Sequence, residues 1–398
     1  MTTPDAATAR LPWDAADPYP FYELRRADGD VVWDDAAQAW LVLGYDAARQ
    51  VVGGSEWTSD PAANAIARAS MDAVSREFIR GSMLFADGAN HERLRGSVRD
   101  VFTRSAVTGL AEGVEAISAT LIDGPPPDTV FDFMADIALP LPMAVIGAWL
   151  DLDPESCQLL RELSPAIIRM LGTLADPDEI AEGAAASATL MAEFLPLAAD
   201  RRVHPGDDLL SFIAADPQLS LEEVVMTTIL IAVAGHETTA NLLGSGLVRL
   251  LTPGPDATRI VDRIDMTDPA MVTELIRIDG PVQSTVRTAT ADQVVSGVDI
   301  QTGQSALVAI AAANRDPAVF DEPARFRLDR RGPAPLSFGY GAHYCLGAAL
   351  ARLELTTALP KILARQPILA GEVRWRDTPA IRGPLSTPMT FSGSLSSV

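Results

Sequence analysis

The chain has little that would tie it to a membrane, to nucleic acid or to an oxidising compartment. Its 398 residues hold two cysteines, Cys157 and Cys345, in unrelated contexts, so neither a disulfide framework nor the Cys/His spacing of a structural zinc site is present. Lysine occurs once, at Lys361, and positive charge is otherwise carried by arginine. Lys and Arg total 31 against 53 Asp and Glu, a formal net charge of −22. So acidic a surface argues against nucleic acid or anionic lipid as the main partner. No apolar run is long enough to span a bilayer, and the most apolar helix candidate is interrupted at Gly235-His236-Glu237. The N-terminus, MTTPDAATARLPWDAADPYP, has no cationic stretch followed by an apolar one, so no export signal is evident. A cytoplasmic protein without a membrane anchor is expected. Four histidines (91, 204, 236 and 343) are too scattered to suggest a metal cluster.

What the chain does have is apolar material for a large core, at 48% hydrophobic and 21% charged. VVWDD and AWLVLGY predict a hairpin at residues 31–45, and YDAARQVVGG a short helix stopped by glycine. Ser220-Leu-Glu-Glu223 is a capping box that opens an apolar helix lasting to about Leu251. Asp268-Pro269 opens another helix, which ends by Gly280-Pro281. Short strands are expected over 285–309, then a loop-rich stretch, then a last helix just after Cys345 in which Pro360 is a candidate stop or kink. No boundary divides the chain, and residues 1–398 read as one mainly helical domain with a small β-containing region.

The segment Phe338-Gly-Tyr-Gly-Ala-His-Tyr-Cys-Leu-Gly347 carries the most information. Its glycines let the backbone fold tightly and approach a flat ligand. Cys345 precedes a helix, whose unpaired N–H groups favour thiolate over thiol. A thiolate there can bind iron and push electron density toward bound dioxygen. A lone intracellular cysteine is usually a small buried hydrophobe, and that reading suits Cys157. For Cys345 the surrounding pattern reverses it: Phe-Gly-x-Gly-x-His-x-Cys-x-Gly runs directly into Ala-Ala-Leu-Ala-Arg-Leu-Glu. This run resembles the haem-binding signature of the cytochrome P-450 family in its soluble bacterial form.

The resemblance extends along nearly the whole chain. Glu274-Leu-Ile-Arg277 is similar to the family's Glu-x-x-Arg helix. Alone, such an i,i+3 pair would read as a solvated ion pair worth a few tenths of a kcal/mol. The resemblance makes it a scaffold, with Arg325 as the third, buried member. Ala234-Gly-His-Glu-Thr-Thr239 is similar to the family's oxygen-activating hexapeptide. Ala234 and Gly235 would let a porphyrin come close. Thr238 lies on the face of Ala234, about 40° away, and its hydroxyl can bond to a backbone carbonyl and open room for water. Glu237 would relay protons. His91 and Arg95, four apart on one helix face, with Arg287 and His343, would donate to the carboxylates of the cofactor rim. Phe338 and Gly339 would line the same site.

The resemblance implies a triangular, mainly α fold with haem b buried between a long central helix and the cysteine loop. It also implies O2 as co-substrate and NAD(P)H as an indirect electron source, through a ferredoxin and ferredoxin reductase, with the chain acting as a monomer. Met83, Leu84, Phe85, Ile167, Ile168, Met170, Leu230, Val233, Val282 and Gln283 are expected to wall a pocket for a hydrophobic small molecule. Two arginine groups, at 93, 95, 99 and 104 and at 325, 327, 330 and 331, are expected to form a basic patch that docks an acidic ferredoxin. A peroxide-driven haem enzyme and a non-catalytic haem sensor or ligand-binding protein are the competing readings.

Overall fold

A computed structural model describes residues 14, 16–70, 79, 81–172, 176–378 and 381–392. Most of the N-terminal stretch read above for an export signal lies outside them. The element that organises the rest is the helix Leu221–Leu251. Its predicted capping box is formed: the Glu223 N–H donates to Ser220 Oγ at 3.1 Å, and the Ser220 N–H donates to Glu223 Oε2 at 3.0 Å. The two halves of this helix serve different cores. Val224 to Val233 pack with the helices Pro140–Trp149, Pro154–Met170 and Pro177–Val203, whereas Ala240 to Leu251 pack with Ala111–Asp123, Ala270–Asp279 and Ala348–Ala364. The less apolar stretch between them, Ala234 to Thr239, therefore sits where neither core needs a large hydrophobe.

The β region is small. The expected hairpin forms from Val31–Asp34 and Ala39–Val42, paired antiparallel. It extends into a five-stranded sheet through Ser305–Val308, Thr285–Ala289 and Trp57–Thr58, in that spatial order. The register sets Arg287 opposite Ala306. The last helix, Ala348–Ala364, continues through Pro360 instead of stopping there. Among the described residues, no helix is long and apolar enough to cross a membrane.

Candidate active site

A cavity of about 1430 Å³ opens between the long helix and the cysteine loop. That exceeds the roughly 300–1,000 Å³ typical of a site for a single drug-sized molecule. Cys345 lies on one wall, and Ala234, Gly235 and Thr238 lie on another.

The cysteine wall is shaped by two turns. Leu336–Phe338 forms a single 3-10 turn closed by the Gly339 N–H donating to the Leu336 carbonyl at 2.7 Å. The Cys345 N–H then donates back to Phe338 at 2.7 Å. Gly339 and Gly341 sit at φ +73° and +74°, a region that other residues rarely occupy. Gly341 is further constrained, because a Cβ there would lie 3.0 Å from the Gly53 Cα. The helix begins at Ala348, so Cys345 precedes it by one turn. Burial pushes the Cys345 thiol up, while the backbone N–H groups of Gly347 and Ala348 and the Arg95 guanidinium pull it down. A cation bound at the sulfur favours the thiolate. Cys157 is half-buried, away from the cavity, with its thiol pushed up by burial.

The opposite wall follows helical spacing. Met226, Leu230, Ala234, Thr238 and Leu242 recur every fourth residue, and all face the cavity. Thr238 Oγ1 donates to the Ala234 carbonyl at 2.7 Å, the local bond expected of it. Glu237 points elsewhere. Its carboxylate is buried, does not line the cavity, and meets Arg376 Nη2 at 2.9 Å. His236 is buried against the Leu139 carbonyl at 3.1 Å and is no candidate ligand.

The predicted rim residues come together, though not all as independent donors. Arg95, Arg287 and His343 line the cavity. His91 lies behind them, buried and stacked on the His343 ring at 4.3 Å between centroids. Burial, with His343 and Arg95 nearby, lowers His91 to about 4, so it is neutral at pH 7. His343 Nε2 donates to Asp87 Oδ1 at 3.0 Å, so one of its nitrogens is already engaged. Asp87, which no motif in the sequence singles out, is the partner of this histidine. Burial alone would raise its carboxyl, but hydrogen bonds from His343, Thr58 and the Ser59 N–H hold it down at about 2. A carboxylate accepting from histidine at this spacing of loop and motif leaves no mark in a single sequence.

The residues present fit an iron porphyrin. His91 Nε2 is buried without a hydrogen-bond partner among the described residues. Arg287 is partly buried and, among the described residues, donates to Thr285 Oγ1 and the Val286 carbonyl. A thiol, two guanidiniums and an imidazole pair around one large cavity suit a flat, iron-bearing dianion.

Of the expected pocket wall, Met83, Leu84, Phe85, Ile168, Met170, Leu230 and Val282 line the cavity. Ile167, Val233 and Gln283 do not. Ile167 and Val233 belong to the buried core, one helical step from cavity-facing neighbours. Gln283 alternates with Val282 and Ser284 along an extended segment, and its amide donates instead to the Gly280 carbonyl at 2.8 Å. Met191, Met226 and Ser187 line the cavity unforeseen.

The scaffold role of Glu274 and Arg277 is visible as a two-point, buried ion pair with contacts of 2.7 and 2.8 Å. Arg277 also donates to the carbonyls of Asn314 and Pro323. Its third member is Arg330, not Arg325. Arg330 Nε donates to Glu274 Oε1 at 2.7 Å, whereas the Arg325 side chain is 68% exposed and pairs with Glu322. Only the Arg325 carbonyl is used, by Arg277 and Arg330. The expected basic patch shrinks accordingly. Arg93 is bound to Glu223, Arg327 to Asp321, Glu322 and Asp329, and Arg330 to Glu274, while Arg95 lines the cavity; Arg99, Arg104, Arg331 and the Glu322-paired Arg325 remain exposed.

A family model described as Cytochrome P-450 matches residues 261–366. Cytochrome P-450 monooxygenase PikC of Streptomyces venezuelae is 34% identical over 95% of this chain and 92% of its own length. The 6-deoxyerythronolide B hydroxylase of Saccharopolyspora erythraea is 33% identical over 89% and 91%. The ligand-free crystal structure of Mycobacterium smegmatis CYP164A2 superposes with a TM-score of 0.85 at 30% identity, covering 94% of this chain and 96% of that one. The chain belongs to the cytochrome P-450 family and is a haem-thiolate monooxygenase of the bacterial kind.

Proposed function

We propose that this enzyme, acting as one monomeric cytoplasmic domain, inserts one oxygen atom from O2 into a hydrophobic small molecule by hydroxylation or epoxidation. Electrons come from NAD(P)H through a ferredoxin and its reductase. The observation that carries this reading is the facing of Cys345 by Ala234, Gly235 and Thr238 across one cavity. Haem b, held by Cys345 with Arg95, Arg287 and the His91–His343 pair at its rim, supplies the oxygen-activating chemistry when bound.

The chain's own residues then have separable tasks. Met83, Phe85, Ile168, Met170 and Leu230 remove water from the pocket and orient an apolar substrate. Thr238, back-bonded to Ala234, loosens a helical turn beside the pocket and can hold a water there. Glu237 is the adjacent proton carrier.

The test uses purified haem-loaded enzyme with ferredoxin, reductase and NADH. The thiolate signature of the ferrous carbonyl spectrum should be present and should be lost in Cys345→Ser but not in Cys157→Ser. A spectral titration against a lipophilic library then finds a ligand that is converted, with product matched to NADH consumed. Turnover with hydrogen peroxide but not with NADH would assign the peroxide-driven reading. Ligand binding without turnover by either route would assign a sensor.

A further inference from the structure

Four polar residues occupy successive turns on one face of the long helix: Glu237, Asn241, Ser245 and Arg249. The first three are 1%, 0% and 1% exposed, in a helix otherwise flanked by apolar cores. Asn241 donates its amide to the Glu237 carbonyl at 2.7 Å. The same amide reaches Glu237 Oε2 at 3.5 Å, Glu237 meets Arg376 and Arg249 meets Asp279, but other polar atoms along the line have no partner among the described residues. Asn241 Oδ1, Ser245 Oγ and Arg376 Nε are all buried and unpaired among the described residues. Each such group costs about 1–3 kcal/mol when left dry, and three in one line are far more economically explained by water.

The line has two ends. At its head, Glu237 is held by Arg376 and precedes Thr238, which faces the oxygen-side cavity. At its foot, Ser245 and Arg249 line a second cleft of about 640 Å³, together with Thr252, Trp375 and Arg382. Arg249 and Arg382 at that mouth share the buried Asp279 carboxylate. Between the ends, Pro384 packs against Gly244 of the long helix. Gly383 is pressed against Asn241 so closely that a Cβ there would lie 2.0 Å from Asn241 Oδ1. Residues four apart on a helix are separated by about 6 Å of rise, a gap that one water between two polar groups can bridge.

We propose that Asn241 and Ser245 hold a thread of water that carries protons from this cleft to Glu237, on the side of the long helix away from Cys345. Glu237 gives a proton toward Thr238 and regains one from the water at Asn241. That water is replenished past Ser245 from the solvent in the cleft, so one proton enters for each one delivered. Arg376 anchors the carboxylate at the head of the thread between deliveries. This inference rests on the monooxygenase reading and adds the route by which its protons arrive.

The experiment compares the haem-loaded wild type with Ser245→Ala, Ser245→Thr and Asn241→Leu. All should bind substrate and accept the first electron at the wild-type rate. Ser245→Ala and Asn241→Leu should lower product formation roughly ten-fold, with a larger solvent deuterium isotope effect, and Ser245→Thr should restore it by returning the hydroxyl. A high-resolution crystal structure of the wild type should show ordered waters at Asn241, Ser245 and Arg376 Nε. Product formation and isotope effect unchanged in Ser245→Ala, or a dry line in the crystal, would overturn the proposal. If the wild type itself makes no product with NADH, the monooxygenase reading fails, while the crystal still decides the water thread.

Discussion

Glu237 Oε2 lies 2.9 Å from Arg376 Nη2, on the side of the long helix that faces away from the cavity. The acid next to Thr238 is therefore not free in the resting protein, but half of a buried ion pair. Removing one partner of such a pair leaves the other charge uncompensated, at about 3–5 kcal/mol. Arg376→Gln should lower the thermal midpoint sharply, toward the lower end of that range because Arg376 is 15% exposed. Combining it with Glu237→Gln should recover much of the loss, since neither charge then remains. Additive losses in the double variant would show that the two do not act as a pair.

Thr238→Val keeps the shape of the side chain and removes the hydroxyl that bonds to Ala234. The first electron and oxygen need no such group, so both should still arrive. Protonation should go astray, with NADH consumption continuing while product per NADH falls and hydrogen peroxide rises. Glu237→Gln should instead slow turnover as a whole. Full coupling in Thr238→Val would reduce Thr238 to a residue that bends its helix.

The Glu274 site separates two neighbouring arginines that the sequence cannot. Arg330→Ala removes a guanidinium bound to a buried carboxylate and to the carbonyls of Asp321, Glu322 and Arg325. A loss of about 3 kcal/mol is expected, read by urea denaturation. Arg325→Ala removes an exposed pair with Glu322 and should cost no more than about 0.5 kcal/mol. The reverse order would restore Arg325 as the third member.

What could be read beforehand follows the range of the interactions involved. The Ser220 cap, the 31–45 hairpin and the long helix depend on neighbours within a few residues, and each formed as expected. Cys345, Thr238 and Arg287 reach one cavity because local motifs carry them there. Arg325 and Arg330 are both arginines in one loop, and only the path of that loop over Glu274 decides which one turns inward. Val233 and Gln283 illustrate the other limit. A single step along a helix or extended segment moves a side chain to another face, and apolar composition alone does not say which face is cavity and which is core. Asp87 and Arg376 were invisible because their partners, His343 and Glu237, are more than a hundred residues away.

Electron delivery should retain a dependence on salt, though on fewer charges than the sequence suggests. Arg99 and Arg104 are exposed, and Arg99 meets its neighbour Asp100 at 3.5 Å. Arg99→Glu or Arg104→Glu should slow reduction by ferredoxin at low ionic strength, with the difference vanishing as salt screens the encounter. Arg327→Glu should have a weaker effect, because Arg327 is already matched by Asp321, Glu322 and Asp329. Reduction that is unchanged by either reversal and insensitive to salt would move the docking surface elsewhere.

Glu354 provides a test of pH dependence that needs no substrate. It sits on the helix that follows Cys345, 3% exposed, with Oε2 unpaired among the described residues. Burial raises its carboxyl from 4.5 to about 8, with no opposing charge to offset it. Below about pH 4.5 the folded and unfolded chains both hold this proton. As pH rises the unfolded chain releases it first, so stability falls, and the fall is complete once the folded carboxyl also ionises above about pH 8. The full swing is on the order of a few kcal/mol. Glu354→Gln keeps the size and polarity of the side chain but cannot ionise. Its stability relative to the wild type should therefore climb between pH 5 and pH 9. Asp87, held at about 2, has the opposite sign and acts only at the acidic end, and it cancels because both proteins contain it. Chemical denaturation of the two proteins across that range gives the difference directly. A flat difference would mean that Glu354 is solvated or paired in solution.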